Sequence, residues 1–130
     1  MQVTGFNHLT INVTNLPVSL AFYRDILGLR VVHLGSKDAY LEWGSAWVCL
    51  IERSGLDRPA GKSLGPDHIA FHIEEEHFGG AVDKLRTNGV TIVREPVKRG
   101  AGWSVNFLDP DGTELELHTS TLRERMKVWK

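Results

Sequence analysis

Two stretches of this chain, sixty residues apart, carry the same signature. Residues 6–13 read Phe-Asn-His-Leu-Thr-Ile-Asn-Val, and residues 67–73 read Asp-His-Ile-Ala-Phe-His-Ile. In the first, Leu9, Ile11 and Val13 alternate with His8, Thr10 and Asn12; in the second, Ile69 and Phe71 alternate with His68 and His72. Alternation of period two marks a half-buried strand, apolar on one face and polar on the other. Such a strand must cover its apolar face with another layer, so the repeat predicts two similar modules.

The segments beyond the two stretches match as well. After the first, Pro17 suits a first helical turn and Gly28 suits a stop. Between them Leu20, Tyr23 and Leu27, and also Val18, Phe22 and Ile26, recur at helical spacing. Strands are then predicted over Arg30–Leu34, Ala39–Trp43 and Trp47–Glu52. After the second, a helix is predicted over about 74–87 with Phe78, Ala81, Val82 and Leu85 inward and Asn88-Gly89 as its stop. Gly79 and Gly80 weaken its start by about 1 kcal/mol each relative to alanine. Further strands are predicted over Thr91–Arg94, Ser104–Leu108 and Glu114–His118, the last two joined by the turn Asp109-Pro110-Asp111-Gly112. The expected fold is α+β, two βαβββ modules over about 5–53 and 66–118. A Gly-, Pro- and charge-rich linker (54–65) joins them, and a terminal helix (121–130) carries Leu122, Met126 and Trp129 on its apolar side.

Composition bounds the partners. At 130 residues, 42% of them hydrophobic, the chain is expected to form one domain with its own core. A formal net charge of −1 gives no general attraction to nucleic acid or an anionic membrane. No run of about 18 apolar residues suggests a membrane span, and Met1–Gly5 has no signal-peptide character. The single Cys49 cannot close an intramolecular disulfide, so a cytoplasmic setting is expected.

The polar strand faces carry the chemistry. His8 and Thr10 share one face, His68 and His72 another, and Glu114, Glu116 and His118 a third. A single strand histidine is ordinarily a hydrogen-bonded structural residue. Two at matched places of matched modules, with a carboxylate available, instead suit a Mn, Fe or Zn site with open positions. Strand phase leaves Glu114, Glu116 and His118 equally eligible as the third ligand.

Gly5-Phe6-Asn7-His8-Leu9-Thr10, Ala21–Gly28 and Phe107–His118 resemble the vicinal oxygen chelate superfamily, which includes glyoxalase I, extradiol dioxygenases and bleomycin-binding proteins. Tyr40-Leu41-Glu42, Trp47-Val48-Cys49-Leu50 and the tail Leu117–Arg125 are similar, more narrowly, to the fosfomycin resistance proteins. That resemblance implies His8, His68 and Glu116 as ligands of Mn²⁺, in a homodimer whose sites draw ligands from both chains. It implies Thr10 beside the epoxide, Tyr40, Trp47 and Cys49 in the pocket, and Ser104, Arg125 and, more loosely placed, Arg94 on the phosphonate. The implied reaction opens the epoxide of a small anionic phosphonate with a low-molecular-weight thiol such as glutathione. Alternatives are an epoxide hydrolase, a dioxygenase or glyoxalase-like enzyme, and a metal-free drug-binding protein. Two features depart from the family. The loop Val97–Trp103 lacks the serine-rich pattern that binds K⁺ in the glutathione-using subgroup, and Asn106 stands where those proteins have a tyrosine.

Overall fold

Each module builds a four-stranded sheet in the same way. In the computed structural model, which describes residues 1–128, the first contains β1 (Leu9–Val13), α1 (Leu16–Leu20), β2 (Arg30–Leu34), β3 (Asp38–Trp43) and β4 (Ala46–Glu52). Its strand order is β1-β4-β3-β2, with β1 parallel to β4 and the other pairs antiparallel. The second contains β5 (Ile69–His72), α2 (Glu75–Thr87), β6 (Ile92–Arg99), β7 (Gly102–Leu108), β8 (Glu114–His118) and α3 (Leu122–Val128). Its order, β5-β8-β7-β6, repeats the first, with β5 parallel to β8. The α+β fold of two βαβββ modules is therefore present. The chain divides into two compact units after Asp57.

In the first unit the apolar phase of each strand is buried: Ile11 and Val13, Ala39 and Leu41, Val48 and Leu50 are all at most 5% exposed. The helix over them starts where expected, with Asn15 accepting a hydrogen bond from the Val18 amide (3.0 Å) and Pro17 in the first turn. It does not stay α-helical to Gly28. Residues Ala21–Ile26 widen into a π-helical segment, and the Leu27 amide reaches back five residues to the Phe22 carbonyl (2.9 Å). The wider turn lets the adjacent Phe22 and Tyr23 both enter the core, where their rings meet edge to face at 5.0 Å. Val18, on one of the two candidate apolar faces, is accordingly exposed.

In the second unit Phe78, Val82 and Leu85 of α2 are buried along with Val105, Phe107, Leu115 and Leu117 of the sheet. Ala81 is only half-buried. The helix runs through Gly79 and Gly80, its first turn carrying Glu75 and Glu76 and its last Lys84 and Arg86, the polarity the helix dipole favours. The Asp109 turn is tied by one carboxylate oxygen that accepts from the Asp111 and Thr113 amides at 2.9 and 2.8 Å. Phe107 is fully buried, and Phe107→Ala is expected to cost about 3–5 kcal/mol, read as a lowered midpoint in chemical denaturation.

Two sequence expectations need correction. The segment Val97–Trp103 is not an open loop. Lys98 pairs with Trp103 and Arg99 with Gly102 across a tight turn in which Gly100 takes φ 63°. Gly102 is required there, because a Cβ would lie 2.9 Å from the Ser120 backbone nitrogen. Strand β6 is correspondingly longer than Thr91–Arg94, with register shifts on both sides of Arg94. Pro96, which has no N–H to donate, sits within the second of them on this edge strand. The terminal helix is capped by Thr121, whose hydroxyl accepts from the Glu124 amide (3.2 Å), and it buries none of its residues. Trp129 and Lys130 lie outside the described residues.

Candidate metal and anion site

The first unit places its expected residues on one sheet face. Thr10 on β1 stands opposite Cys49 on β4, which stands opposite Tyr40 on β3. Two pairs along, on the same face, Trp47 stands opposite Glu42. His8 lies one residue ahead of β1, and its ring is 4.4 Å from the Trp47 ring. The rings continue from Trp47 to Tyr40 (5.9 Å, edge to face) and from Tyr40 to His33 (4.8 Å). Aromatic surface thus backs an exposed imidazole. Cys49 is buried, and burial pushes its thiol up. The Asp38 carboxylate adds to this and a hydrogen bond with Thr10 partly offsets it. A thiol so held is a poor nucleophile at neutral pH. Glu42 is engaged by the Arg30 guanidinium across the strand pair.

The second unit gathers His68, Glu116, Arg94 and Asn106. His68, like His8, precedes its strand by one residue. Register puts Ala70, Glu116, Asn106 and Arg94 in one row across the sheet. Glu116 is buried, as is Asn106. The His68 Nε2 is 3.5 Å from the Glu116 Oε1, and the Arg94 guanidinium donates to that same oxygen at 2.9 Å. Arg94 also donates to the Asn106 Oδ1 (2.9 Å), while the Asn106 amide donates to Glu114 (2.9 Å).

The two histidines share a detail that ligand counting does not show. His8 Nδ1 lies 2.6 Å from the Asn7 Oδ1, and His68 Nδ1 lies 2.7 Å from the Asp67 carboxylate. The preceding residue supplies the acceptor in both cases. An oxygen acceptor at Nδ1 orients each ring and leaves Nε2 as the outward nitrogen, the arrangement a metal-ligating histidine uses. Asp67 is held below the usual carboxylate range, first by Lys62 (2.5 Å) and then by His68. This device was readable in the sequence as an acceptor residue directly before each repeated histidine.

The donor set fits a divalent cation. The Nε2 of His68 and an oxygen of Glu116 face each other at 3.5 Å. Donors bound about 2.1 Å from one ion sit about 3–3.4 Å apart, so this spacing suits a shared cation. Asp67, His68 and Glu114 also bring donor atoms within 4.8 Å of one another. A cleft of about 360 Å³ opens beside them, lined by Lys62, Asp67, His68, Leu108 and Glu114.

The remaining expected residues border the same sheet face. Ser104 is fully buried, opposite His118 on β8, and its hydroxyl has no hydrogen-bond partner. The Arg94 Nε is a second buried donor without a partner. Arg125 lines a groove of about 270 Å³ with Ala70, His72, Glu116, His118 and Leu122. His118 Nδ1 accepts from the Ser120 amide (3.1 Å), and burial holds its imidazolium below the usual histidine range, with Arg125 and Arg99 adding and Glu116 opposing. Cations and unfilled donors at one carboxylate suit an anionic ligand.

The family model of the Glyoxalase/Bleomycin resistance protein/Dioxygenase superfamily matches residues 5–117. Metallothiol transferase FosB of Staphylococcus epidermidis is 37% identical over 131 residues, covering 100% of this chain and 92% of that one. Glutathione transferase FosA of Serratia marcescens is 38% identical over 125 residues, covering 96% and 87%. The crystal structure of fosfomycin resistance protein FosX from Listeria monocytogenes, complexed with Mn(II) and sulfate ion, superposes with a TM-score of 0.81 at 28% identity, covering 99% of this chain and 100% of that one. Among the described residues no helix is long and apolar enough to cross a membrane.

Proposed function

Because this chain belongs to the Glyoxalase/Bleomycin resistance protein/Dioxygenase superfamily and aligns along nearly its whole length with metallothiol and glutathione transferases, we propose that it inactivates fosfomycin by adding a low-molecular-weight thiol to the epoxide. It is a metal-dependent transferase in this reading, and His8, His68 and Glu116 are the metal ligands. The observation that carries the proposal is the convergence of His68 Nε2 and Glu116 at 3.5 Å beside Arg94.

Bound there, a divalent cation would supply Lewis acidity to the epoxide oxygen as negative charge develops on it. Mn²⁺ is the proposed ion, since its nitrogen and carboxylate preferences match the set and it occupies the similar structure. The chain's own residues do the rest. Arg94 and Arg125 hold phosphonate oxygens through permanently charged planar forks. Ser104 donates its unfilled hydroxyl to the same group. Thr10 stands at the epoxide and Trp47, Tyr40 and Cys49 shape the pocket wall. Cys49 does not attack, because its thiol is buried and protonated. The proposed nucleophile is an external thiol, as in the metallothiol and glutathione transferases that the chain resembles. Water is the second reading, and Glu42, which thiol-using members of the resembled family share, does not favour it. A homodimer in the cytoplasm, each site drawing on both chains and both modules serving one function, completes the proposal.

The test is direct. Protein with Mn²⁺ and fosfomycin is incubated with glutathione, with cysteine and without thiol, and followed by ³¹P NMR. A new thioether phosphonate resonance is expected with a thiol. Its absence throughout, with unchanged fosfomycin, overturns the function. A diol resonance in the thiol-free tube overturns the transferase reading in favour of hydrolysis.

A further inference from the structure

We propose that Arg94 is the stand-in cation of the unloaded site: its guanidinium neutralises Glu116 until a divalent metal takes that carboxylate, and only then is it released toward the anionic substrate. The metal half stands on the geometry alone; the anion half rests on the proposed function.

Glu116 is 5% exposed. A carboxylate so buried and left unpaired is costly, so the unloaded site needs a positive partner. Arg94 supplies it, on the same Oε1 that faces His68 Nε2. Guanidinium and metal therefore compete for one oxygen. Arg94 reaches that oxygen because register shifts on both sides of it reshape β6. Asn106 holds it there: its amide oxygen accepts from Arg94 while its amide nitrogen donates to Glu114. The Arg94 Nε meanwhile stays buried and unfilled. The bonds to Glu116 and Asn106 are both made through the same guanidinium nitrogen, Nη2.

This competition sets an order of binding. Before the metal arrives, an oxyanion approaching Arg94 meets a guanidinium already neutralised and a buried carboxylate beside it. After the metal has taken Glu116, the whole fork is available to the anion. Metal affinity is correspondingly lowered by the arginine it must displace, and a variant without that charge binds metal more tightly.

The experiment titrates Mn²⁺ into metal-stripped wild type, Arg94→Met and Arg94→Lys by EPR detection of the free ion. Arg94→Met keeps the apolar stem without the charge, and its Mn²⁺ affinity is expected to rise about tenfold. Arg94→Lys keeps the charge and stays within about threefold of wild type. An Arg94→Met affinity equal to or weaker than wild type overturns the proposal. Should that variant not fold, ¹⁵N NMR of the arginine Nε–H signals of wild type, with Arg94 assigned from the Arg94→Lys spectrum, decides instead. Its signal is expected to shift on Zn²⁺ saturation; an unmoved signal overturns the proposal. Wild type that binds no Mn²⁺ overturns the proposed function and this inference together. Tight binding with an unaltered Arg94→Met affinity overturns this inference alone.

Discussion

Glu116→Gln is expected to weaken Mn²⁺ binding by about a hundredfold or more, with the circular dichroism spectrum and the elution volume unchanged. The substitution keeps the shape of a side chain that is 5% exposed and packed on the central strand β8. It removes the negative charge while leaving a carbonyl oxygen that still accepts from Arg94. The loss is amplified by what remains, because Arg94 then sits beside the metal position with no carboxylate to neutralise it. Glu114→Gln is the informative companion. Glu114 belongs to the other group of candidate donors, with Asp67 and His68. In the proposed site it anchors Asn106, so its loss costs far less, at most about tenfold. If Glu114→Gln proves the more damaging of the two, the metal sits on the Asp67–His68–Glu114 side and the ligand assignment is wrong.

Much of this arrangement was legible in the sequence. Period-two alternation depends only on which residues face a core, and it identified β1, β5 and β8 with the correct phase. It failed where non-local pairing decides the backbone. Val97–Arg99 has no alternation of its own, yet it extends β6 because Gly100 can turn and Gly102 can pass under Ser120. The π-helical turn at Ala21–Ile26 arises from two adjacent aromatic residues seeking the same core, which a strict helical period cannot express. In the site, side-chain type and phase named His68 and left Glu114, Glu116 and His118 equally eligible, while Glu116 and Arg94 were singled out only by the family resemblance. That Arg94 meets Glu116, and that Asn106 holds them, required the register of β6, β7 and β8. Asn106 read alone was merely a departure from a familiar tyrosine. The acceptors Asn7 and Asp67 were in plain view, and their role depends on where Nδ1 points.

Mixing two inactive variants is expected to restore activity. His8 lies in the first unit and Glu116 in the second, so His8→Ala and Glu116→Gln damage different halves of the ligand set. Suppose each site takes His8 from one copy and His68 with Glu116 from its partner. In a mixed dimer one site then collects both lesions, and the other collects an intact His8 and an intact Glu116. With equal amounts and free exchange about half the dimers are mixed, and one of their two sites works, so about a quarter of wild-type activity returns. If each copy instead supplied all three ligands to its own site, every site in every dimer would carry one lesion, and mixing would restore nothing. The assay is fosfomycin consumption with Mn²⁺ and the active thiol, after unfolding and co-refolding the variants together. Each variant refolded alone is the control, and both must remain near zero. Recovery close to a quarter supports shared sites. Activity that stays at the level of the controls, in samples whose mixed dimers are verified by native mass spectrometry, overturns the sharing and places His8 with the His68 and Glu116 of its own chain.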